Sequence, residues 1–143
     1  MIRSITFRLA LGLMAAAAAA ACSGSSTSST VPTPSGTTTT DTFTGTVPVQ
    51  GADFHNFTVN TGGTINATLV AAGPPATITM GFAIGTPSST GVCSLLSGAQ
   101  VAVSAGSTAQ LTGTLAAGTY CVEVFDIGNA AGPIAYTVTV AHT

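Results

Sequence analysis

Apolar side chains alternate with polar ones along several short segments of this chain after residue 42. The alternation has no break from Ile78 to Ile84, and it recurs at three other places. The alternating apolar positions are Ile65, Ala67 and Leu69; Ile78, Met80, Phe82 and Ile84; Tyr120, Val122 and Val124; and Tyr136, Val138 and Val140. Because successive side chains of a β-strand point to opposite faces, this spacing predicts strands with one buried face.

Turn residues separate these segments and set the fold class. Two more apolar pairs, Val101 with Val103 and Leu111 with Leu115, predict further strands, and the turn at 60–63 is rich in glycine. No segment after residue 42 shows the spacing of an amphipathic helix. Threonine occupies many of the alternate positions, as suits a half-solvated sheet surface. We therefore predict seven to nine strands in one all-β domain at 43–143, folded as an antiparallel β-sandwich.

The segment before this domain has the composition of a linker. Residues 23–42 are almost entirely serine, threonine, glycine and proline, with Val31 as the only aliphatic residue. Such a segment buries too little apolar surface to offset the entropy of ordering. We predict a disordered linker over residues 22–42.

The first residues have the order of charged, apolar and small side chains that marks a signal peptide. Arg3 and Arg8 precede an apolar run at 9–21, which is shorter than the roughly 20 residues that a membrane-spanning helix needs. The run ends in alanines. We predict a signal helix over residues 1–21 that directs export and is then removed.

Cys22 directly follows these small residues, and this order resembles a bacterial lipoprotein signal. The resemblance implies that Cys22 carries acyl chains such as palmitate and anchors the protein in a membrane. Ser23 stands where inner-membrane lipoproteins carry aspartate, so the expected location is the outer membrane or the cell surface. The alternative is ordinary cleavage within the alanine run, which would leave a periplasmic or secreted soluble protein.

The other two cysteines form a natural pair. The chain has three cysteines, and lipidation of Cys22 would leave Cys93 and Cys121 in an oxidising compartment. We predict a disulfide between them. The competing interpretations are two buried thiols or a partial metal site, although no Cys-x-x-Cys spacing supports a metal.

The distribution of charge excludes one class of function. Arg3 and Arg8 are the only basic residues, so removal of the signal peptide leaves Asp41, Asp53, Glu123 and Asp126 with no lysine or arginine. Nucleic-acid binding needs cations that neutralise phosphates, and we exclude it. Sheet edges also lack the lysines that commonly block edge-to-edge pairing, so self-association becomes a real alternative.

Three segments resemble the bacterial pre-peptidase C-terminal domain. They are Gly-Ala-Asp-Phe-His-Asn-Phe-Thr-Val at 51–59, which the Gly-Gly turn at 62–63 follows, Leu-Ala-Ala-Gly-Thr-Tyr-Cys-Val-Glu-Val at 115–124 and Ala-Tyr-Thr-Val-Thr-Val at 135–140. The resemblance covers almost the whole domain. It implies a jelly-roll-like sandwich of the kind found on secreted bacterial proteins, often beside a hydrolase. The clustered acidic residues with which some of these domains hold calcium are missing.

Catalytic motifs are missing as well. The sequence has no Gly-x-Ser-x-Gly elbow, no His-Glu-x-x-His and no phosphate-binding glycine loop. We predict no enzymatic activity and no cofactor. His55 is interpreted as an outward or structural strand residue, and His142 as exposed near the chain end. Asp53 is expected to order the turn before its strand.

Asp126 opens a glycine-rich loop that also contains Asn129, and two interpretations compete for it. One carboxylate and one amide make a weak calcium candidate, since calcium takes six to eight oxygen ligands. A plain turn is the simpler interpretation.

Two functional hypotheses follow. The first is a non-catalytic binding module for an extracellular polymer or protein, and the second is a structural, self-associating envelope component. The chain has no tryptophan, and Tyr120 and Tyr136 fall on predicted core positions. An exposed aromatic surface for glycans is therefore not expected.

Overall fold

A computed structural model describes residues 36–143, so the predicted signal peptide, Cys22 and most of the predicted linker lie outside the described residues. The described chain forms eight strands and no helix, so no helix in this part could cross a membrane. The strands are β1 (Thr39–Val47), β2 (Ala52–Val59), β3 (Gly63–Gly73), β4 (Thr79–Pro87), β5 (Cys93–Ser104), β6 (Leu111–Leu115), β7 (Gly118–Phe125) and β8 (Ile134–His142).

The strands form two four-stranded antiparallel sheets. The first sheet has the order β1-β8-β3-β6 and the second the order β2-β7-β4-β5. This is the strand order of a jelly roll, in which two sheets enclose one core. The predicted all-β antiparallel sandwich is confirmed.

The alternation that predicted the strands also marks the inner faces of the two sheets. Along β8, Ile134, Tyr136, Val138 and Val140 are all buried and the residues between them are more exposed. Of the twelve largest fully buried side chains, all but Cys121 belong to this inner layer, and they are Phe82, Leu69, Met80, Ile84, Ile134, Val47, Val59, Val122, Val124, Val138 and Val140.

Strand β4 is buried on both faces because its outward residues are small. Gly81, Ala83 and Gly85 lie on its outer face, between β7 and β5. A Cβ atom at Gly81 would overlap the ring of Phe125, and one at Gly85 would lie 2.7 Å from Cys93 Sγ. Larger side chains from the flanking strands therefore cover the centre of the second sheet.

Strand β3 continues past the point where β6 begins, and the segment before β6 bonds to it there. The Gln110 side chain accepts a hydrogen bond from Leu69 N through its Oε1 and donates one to Leu69 O through its Nε2, and Gly106 N also donates to Leu69 O. Both backbone groups of Leu69 are therefore bonded beyond the end of the β3–β6 pairing. A bulge at Val70 interrupts the pairing of β3 with β8 on its other side.

The sheet begins earlier than the sequence predicted. Strand β1 starts at Thr39, so residues 39–42, which were assigned to the linker, pair with the end of β8. A Cβ at Gly36 would lie 3.2 Å from the Thr143 side chain, so the described chain enters beside its own C-terminus. The loops at 48–51, 74–78, 105–110 and 126–133 lie at the opposite end, and we call them the distal loops.

The sandwich has two long sides where edge strands of the two sheets face each other. On one side β1 faces β2, and Phe43 stacks on His55 across the gap. We call this the histidine side. On the other side β5 faces β6 around a cavity, and we call this the cavity side.

Candidate functional site

The histidine side collects most of the titratable side chains of the sandwich. Both histidines of the chain, two of its four acids and one of its two tyrosines face each other here from β1, β2 and β8. These residues are Asp41, Asp53, His55, Tyr136 and His142. The fold therefore brings together groups that are as many as 101 positions apart in sequence.

Asp53 bonds to a tyrosine across the sandwich. Tyr136 Oη donates a 2.8 Å hydrogen bond to Asp53 Oδ2. Burial, then the hydrogen bond to Asp53 and its negative charge, raise the pKa of Tyr136 well above its usual range. Gly45 makes room for the pair, because a Cβ there would overlap Asp53 Oδ2 and lie 2.6 Å from Tyr136 Oη. The expectation that Asp53 orders a turn is wrong, since it lies inside β2 and faces inward.

His142 is buried, and the prediction that it is exposed is wrong. Its relative exposure is 2 %, and its Nε2 lies 3.0 Å from Asp41 Oδ2. Its ring packs against Phe57 at a centroid distance of 5.4 Å. Every second residue of β8, from Ile134 onward, faces inward, and His142 is the last of these positions. It pairs with Thr39 at the start of β1.

His55 lies on the inner face of β2, so of its two interpretations the outward one is wrong and the structural one remains. Its ring stacks on Phe43 with a centroid distance of 5.0 Å and an interplanar angle of 7°. His55 Nε2 is 4.0 Å from Asp53 Oδ2, which is too long for a hydrogen bond. The ring therefore closes the side of the sandwich by packing.

The geometry of the histidine side favours a structural role. Each carboxylate is close to a partner: Asp53 to Tyr136, and Asp41 to His142. No group of three or more histidine, cysteine, aspartate or glutamate side chains within residues 36–143 is placed to hold a metal ion. Aromatic stacking and these polar pairs close the gap between β1 and β2.

The predicted disulfide between Cys93 and Cys121 is confirmed. Its Cα atoms are 5.9 Å apart, and the bridge joins the start of β5 to the middle of β7. It crosses the outer face of β4 above Gly85, where only a glycine leaves enough room. The bond therefore ties an edge strand of the second sheet to the strand two places away.

Asp126 joins two distal loops through backbone hydrogen bonds. Its Oδ1 accepts bonds from the N–H groups of Gly128, Asn129 and Ala130, and its Oδ2 accepts one from Gln50 N–H. The hydrogen bond from Gln50 N–H is the main cause that lowers the pKa of Asp126. The other three N–H groups lower the pKa further, while desolvation of the carboxylate acts in the opposite direction. Asn129 Nδ2 donates to Thr79 O. These contacts are those of a plain turn. Both carboxylate oxygens of Asp126 accept hydrogen bonds from backbone N–H groups.

A shallow pocket on the outer face of the second sheet combines polar and apolar groups. Its volume is about 410 Å³, and we call it the outer pocket. Its lining includes Glu123, Gln100, Phe125 and Leu95 from the strands, and Gln50 and Asp126 from the distal loops. Burial raises the pKa of Glu123, and within the described part of the chain no hydrogen bond or neighbouring charge offsets the effect.

The strand register places the polar groups of the outer pocket. Glu123 and Gln100 both pair with Ala83, from opposite sides. Their backbones are thus about 10 Å apart across two strand spacings. Sequence reasoning named Glu123 without a partner and missed Gln50 and Gln100. Only the pairing of β5 with β4 and the contact between the two distal loops bring them to one place.

The outer face of the first sheet is different, since it carries no charged side chain. Threonine, alanine, asparagine and glycine occupy its outward positions, with Val70 at the bulge. Its threonines are Thr40, Thr42, Thr44, Thr46, Thr64, Thr68, Thr112, Thr114, Thr137 and Thr139.

Comparison with models of known protein families found no match, and no curated protein matches the chain. The resemblance to the pre-peptidase C-terminal domain therefore stays a prediction that rests on the three segments quoted above.

Proposed function

We propose that this protein is an exported, non-catalytic binding module that holds an uncharged, hydroxyl-rich extracellular polymer at the outer pocket. The observation that carries the proposal is Glu123, a partly buried carboxyl group with no hydrogen-bond partner among residues 36–143, which lines the same pocket as an amide and an aromatic ring. Binding sites commonly combine an apolar lining with a few converging polar groups.

The chemistry of the outer pocket fits hydroxyl groups. Glu123 offers acceptor oxygens, while Gln100 offers both a donor and an acceptor, and Phe125 provides an apolar surface. A carboxylate left in a partly dry place is costly, so a hydroxyl donor from a ligand would be stabilising there. The absence of tryptophan from the chain means that no large aromatic platform contributes, and we expect modest affinity.

The charge balance narrows the ligand class. The domain carries acids and no lysine or arginine. An anionic polymer would be repelled and would find no cationic partner. This argues against an anionic polymer, and the ligand class that we propose is neutral.

The direction of the chain agrees with a tethered module. Gly36 lies beside Thr143, at the end of the sandwich opposite the distal loops. Gln50 and Asp126 of the outer pocket belong to those loops. A lipid anchor at Cys22 would attach at the entry end and leave the pocket at the far end. Intact mass of the exported protein tests the anchor, since an unmodified N-terminus at Cys22 would contradict it.

The binding experiment uses the full chain, exported by a secreting host so that its disulfide forms. Binding to immobilised neutral polysaccharides is compared between the wild type, Glu123→Ala and Gln100→Ala, with Thr44→Ala on the opposite sheet as the matched control. We expect each pocket variant to weaken binding about tenfold, and the control to bind like the wild type.

Three outcomes would contradict the proposal. They are wild-type protein that binds no neutral polysaccharide, equal loss in the Thr44→Ala control, and binding only to a protein partner. Concentration-dependent self-association without any ligand would favour the structural alternative, for which the uncharged outer face of the first sheet is the natural contact surface.

A further inference from the structure

The cavity side holds a space of about 260 Å³ between the edge strands β5 and β6. Apolar side chains from both sheets line it, namely Ile65, Ile84, Leu96, Ala99, Leu111 and Leu115, together with one serine, two threonines and two glycines. No aspartate, glutamate or histidine lines it. The cavity lies across the sandwich from the histidine side and is separate from the outer pocket.

The cavity exists because one inward position has no side chain. Gly113 pairs with Ile65, which is buried, so it shares the inward face of β6 with Leu111 and Leu115. A Cβ atom added at Gly113 would meet nothing within 4 Å. Gly113 and both of its neighbours in β6 are exposed, so the space is a groove that opens to solvent at the edge of the sandwich.

The lining residues describe a narrow trench. The cavity is lined along the whole of β6, from Leu111 to Leu115, a length of about 13 Å at the usual rise per strand residue. A volume of about 260 Å³ over that length gives a mean cross-section of roughly 20 Å². This cross-sectional area is about that of one extended hydrocarbon chain.

Charge excludes one kind of head group. Residues 36–143 contain no lysine or arginine, so no cation lies near the mouth of the trench to pair with a carboxylate or a phosphate. A ligand whose alkyl chain enters here would keep an uncharged head group in water.

We propose that the cavity side binds one unbranched alkyl chain of an uncharged amphiphile. The chain lies along β6 against Leu111 and Leu115, and it fills the space in front of Gly113. Removing apolar surface from water at about 25 cal/mol per Å² drives the binding, since the walls offer no charged partner. The proposal goes beyond the binding of a polymer at the outer pocket and does not depend on it.

The test uses the exported full chain and two simple probes, 1-octanol and octyl glucoside below its micelle concentration. Titration calorimetry measures binding, with octanoate and toluene as comparison ligands. Gly113→Leu fills the trench with a side chain. Thr44→Leu is its control, because it adds the same side chain to the outward face of β1. We expect the neutral alkyl probes to bind the wild type and Thr44→Leu. Gly113→Leu should bind them at least about tenfold more weakly.

Circular dichroism and thermal melting show whether Gly113→Leu is folded, and Gly113→Ala serves as a milder variant if it is not. Intermediate weakening in a folded Gly113→Ala would support the proposal. Failure of both neutral probes to bind the wild type would overturn it. Equal binding to wild type and a folded Gly113→Leu would also overturn it, as would stronger binding of toluene or octanoate than of 1-octanol. 1-Octanol carries no sugar, so its binding and its loss in Gly113→Leu do not depend on whether the outer pocket binds a polysaccharide.

Discussion

Two glycines on the edge strands of the same sheet show how differently the two sides of this sandwich are built. Gly45 on β1 and Gly113 on β6 both face inward. A Cβ at Gly45 would overlap the carboxylate of Asp53, whereas a Cβ at Gly113 would meet nothing within 4 Å. The first glycine is present because a polar pair fills the space. The second leaves a space that no residue of the domain fills.

The contrast extends to how each side is held. The histidine side is closed by directional contacts, namely the bond from Tyr136 to Asp53, the contact of His142 with Asp41 and the stacking of Phe43 on His55. The edge strand of the second sheet on the cavity side is instead fixed by the disulfide at its first residue, Cys93. A packed side has a defined structure without a ligand, while a side with an open trench retains room for one.

The largest expected effect is loss of the disulfide. We expect replacement of Cys93 and Cys121 by serine to lower the free energy of unfolding by about 3 to 4 kcal/mol, since the bridge closes a loop of 28 residues. Urea unfolding of the exported protein measures the change. Wild type treated with reductant should match the double variant. An unchanged midpoint would show that β5 needs no covalent tie, which would weaken the contrast between the two sides.

The two glycines provide a direct test of the comparison. We expect Gly45→Ala to destabilise the fold by about 1 to 3 kcal/mol, because the methyl group must separate Asp53 from Tyr136. Gly113→Ala should be neutral or stabilise the fold by up to about 1 kcal/mol, since it restricts the unfolded chain and enters open space. Thermal melting of both variants decides the matter. Equal destabilisation by both would show that the two sides are packed alike.

The polar pair of the histidine side has a smaller effect, with a pH signature. Tyr136→Phe should cost about 1 to 2 kcal/mol at neutral pH, because Asp53 loses its hydrogen-bond donor. Folding raises the pKa of Tyr136. The contribution of Tyr136 to the free energy of unfolding is therefore complete below the ordinary tyrosine pKa of about 10, and it is lost as the pH rises above that value. The alkaline loss of stability should therefore be smaller in Tyr136→Phe.

Asp53→Asn and the double variant with Tyr136→Phe complete a cycle that isolates the interaction. Additive effects of the two single changes would mean that the two groups do not interact in solution. Urea unfolding at pH 7 and pH 11 supplies both readouts.

Short-range pattern was enough to predict much of the fold. The apolar alternation predicted the strands around Ile65, Met80, Val122 and Val138, and its inward positions are buried, except that Tyr120 is only partly buried. The glycine-rich loop after Asp126 forms the predicted turn. These features follow from the period of a strand and the chemistry of a turn, both of which are local.

The sites required the tertiary structure. His142 and Asp41 are 101 positions apart, and Asp53 and Tyr136 are 83 apart. Their contacts depend on which strands become neighbours and which edges face each other.

By itself, the sequence determined an antiparallel β-sandwich, the inward apolar positions of its strands and its cysteine pair, because each follows from local spacing or from the number of candidates. Only the tertiary structure decided that His142 is buried, that Glu123 shares a pocket with Gln100, and that Gly113 faces an open trench. Each of these facts depends on what lies opposite a residue across a sheet or across the core. What lies opposite a residue is set by the strand order β1-β8-β3-β6 and β2-β7-β4-β5. The alternation of side chains along one strand carries no information about that order.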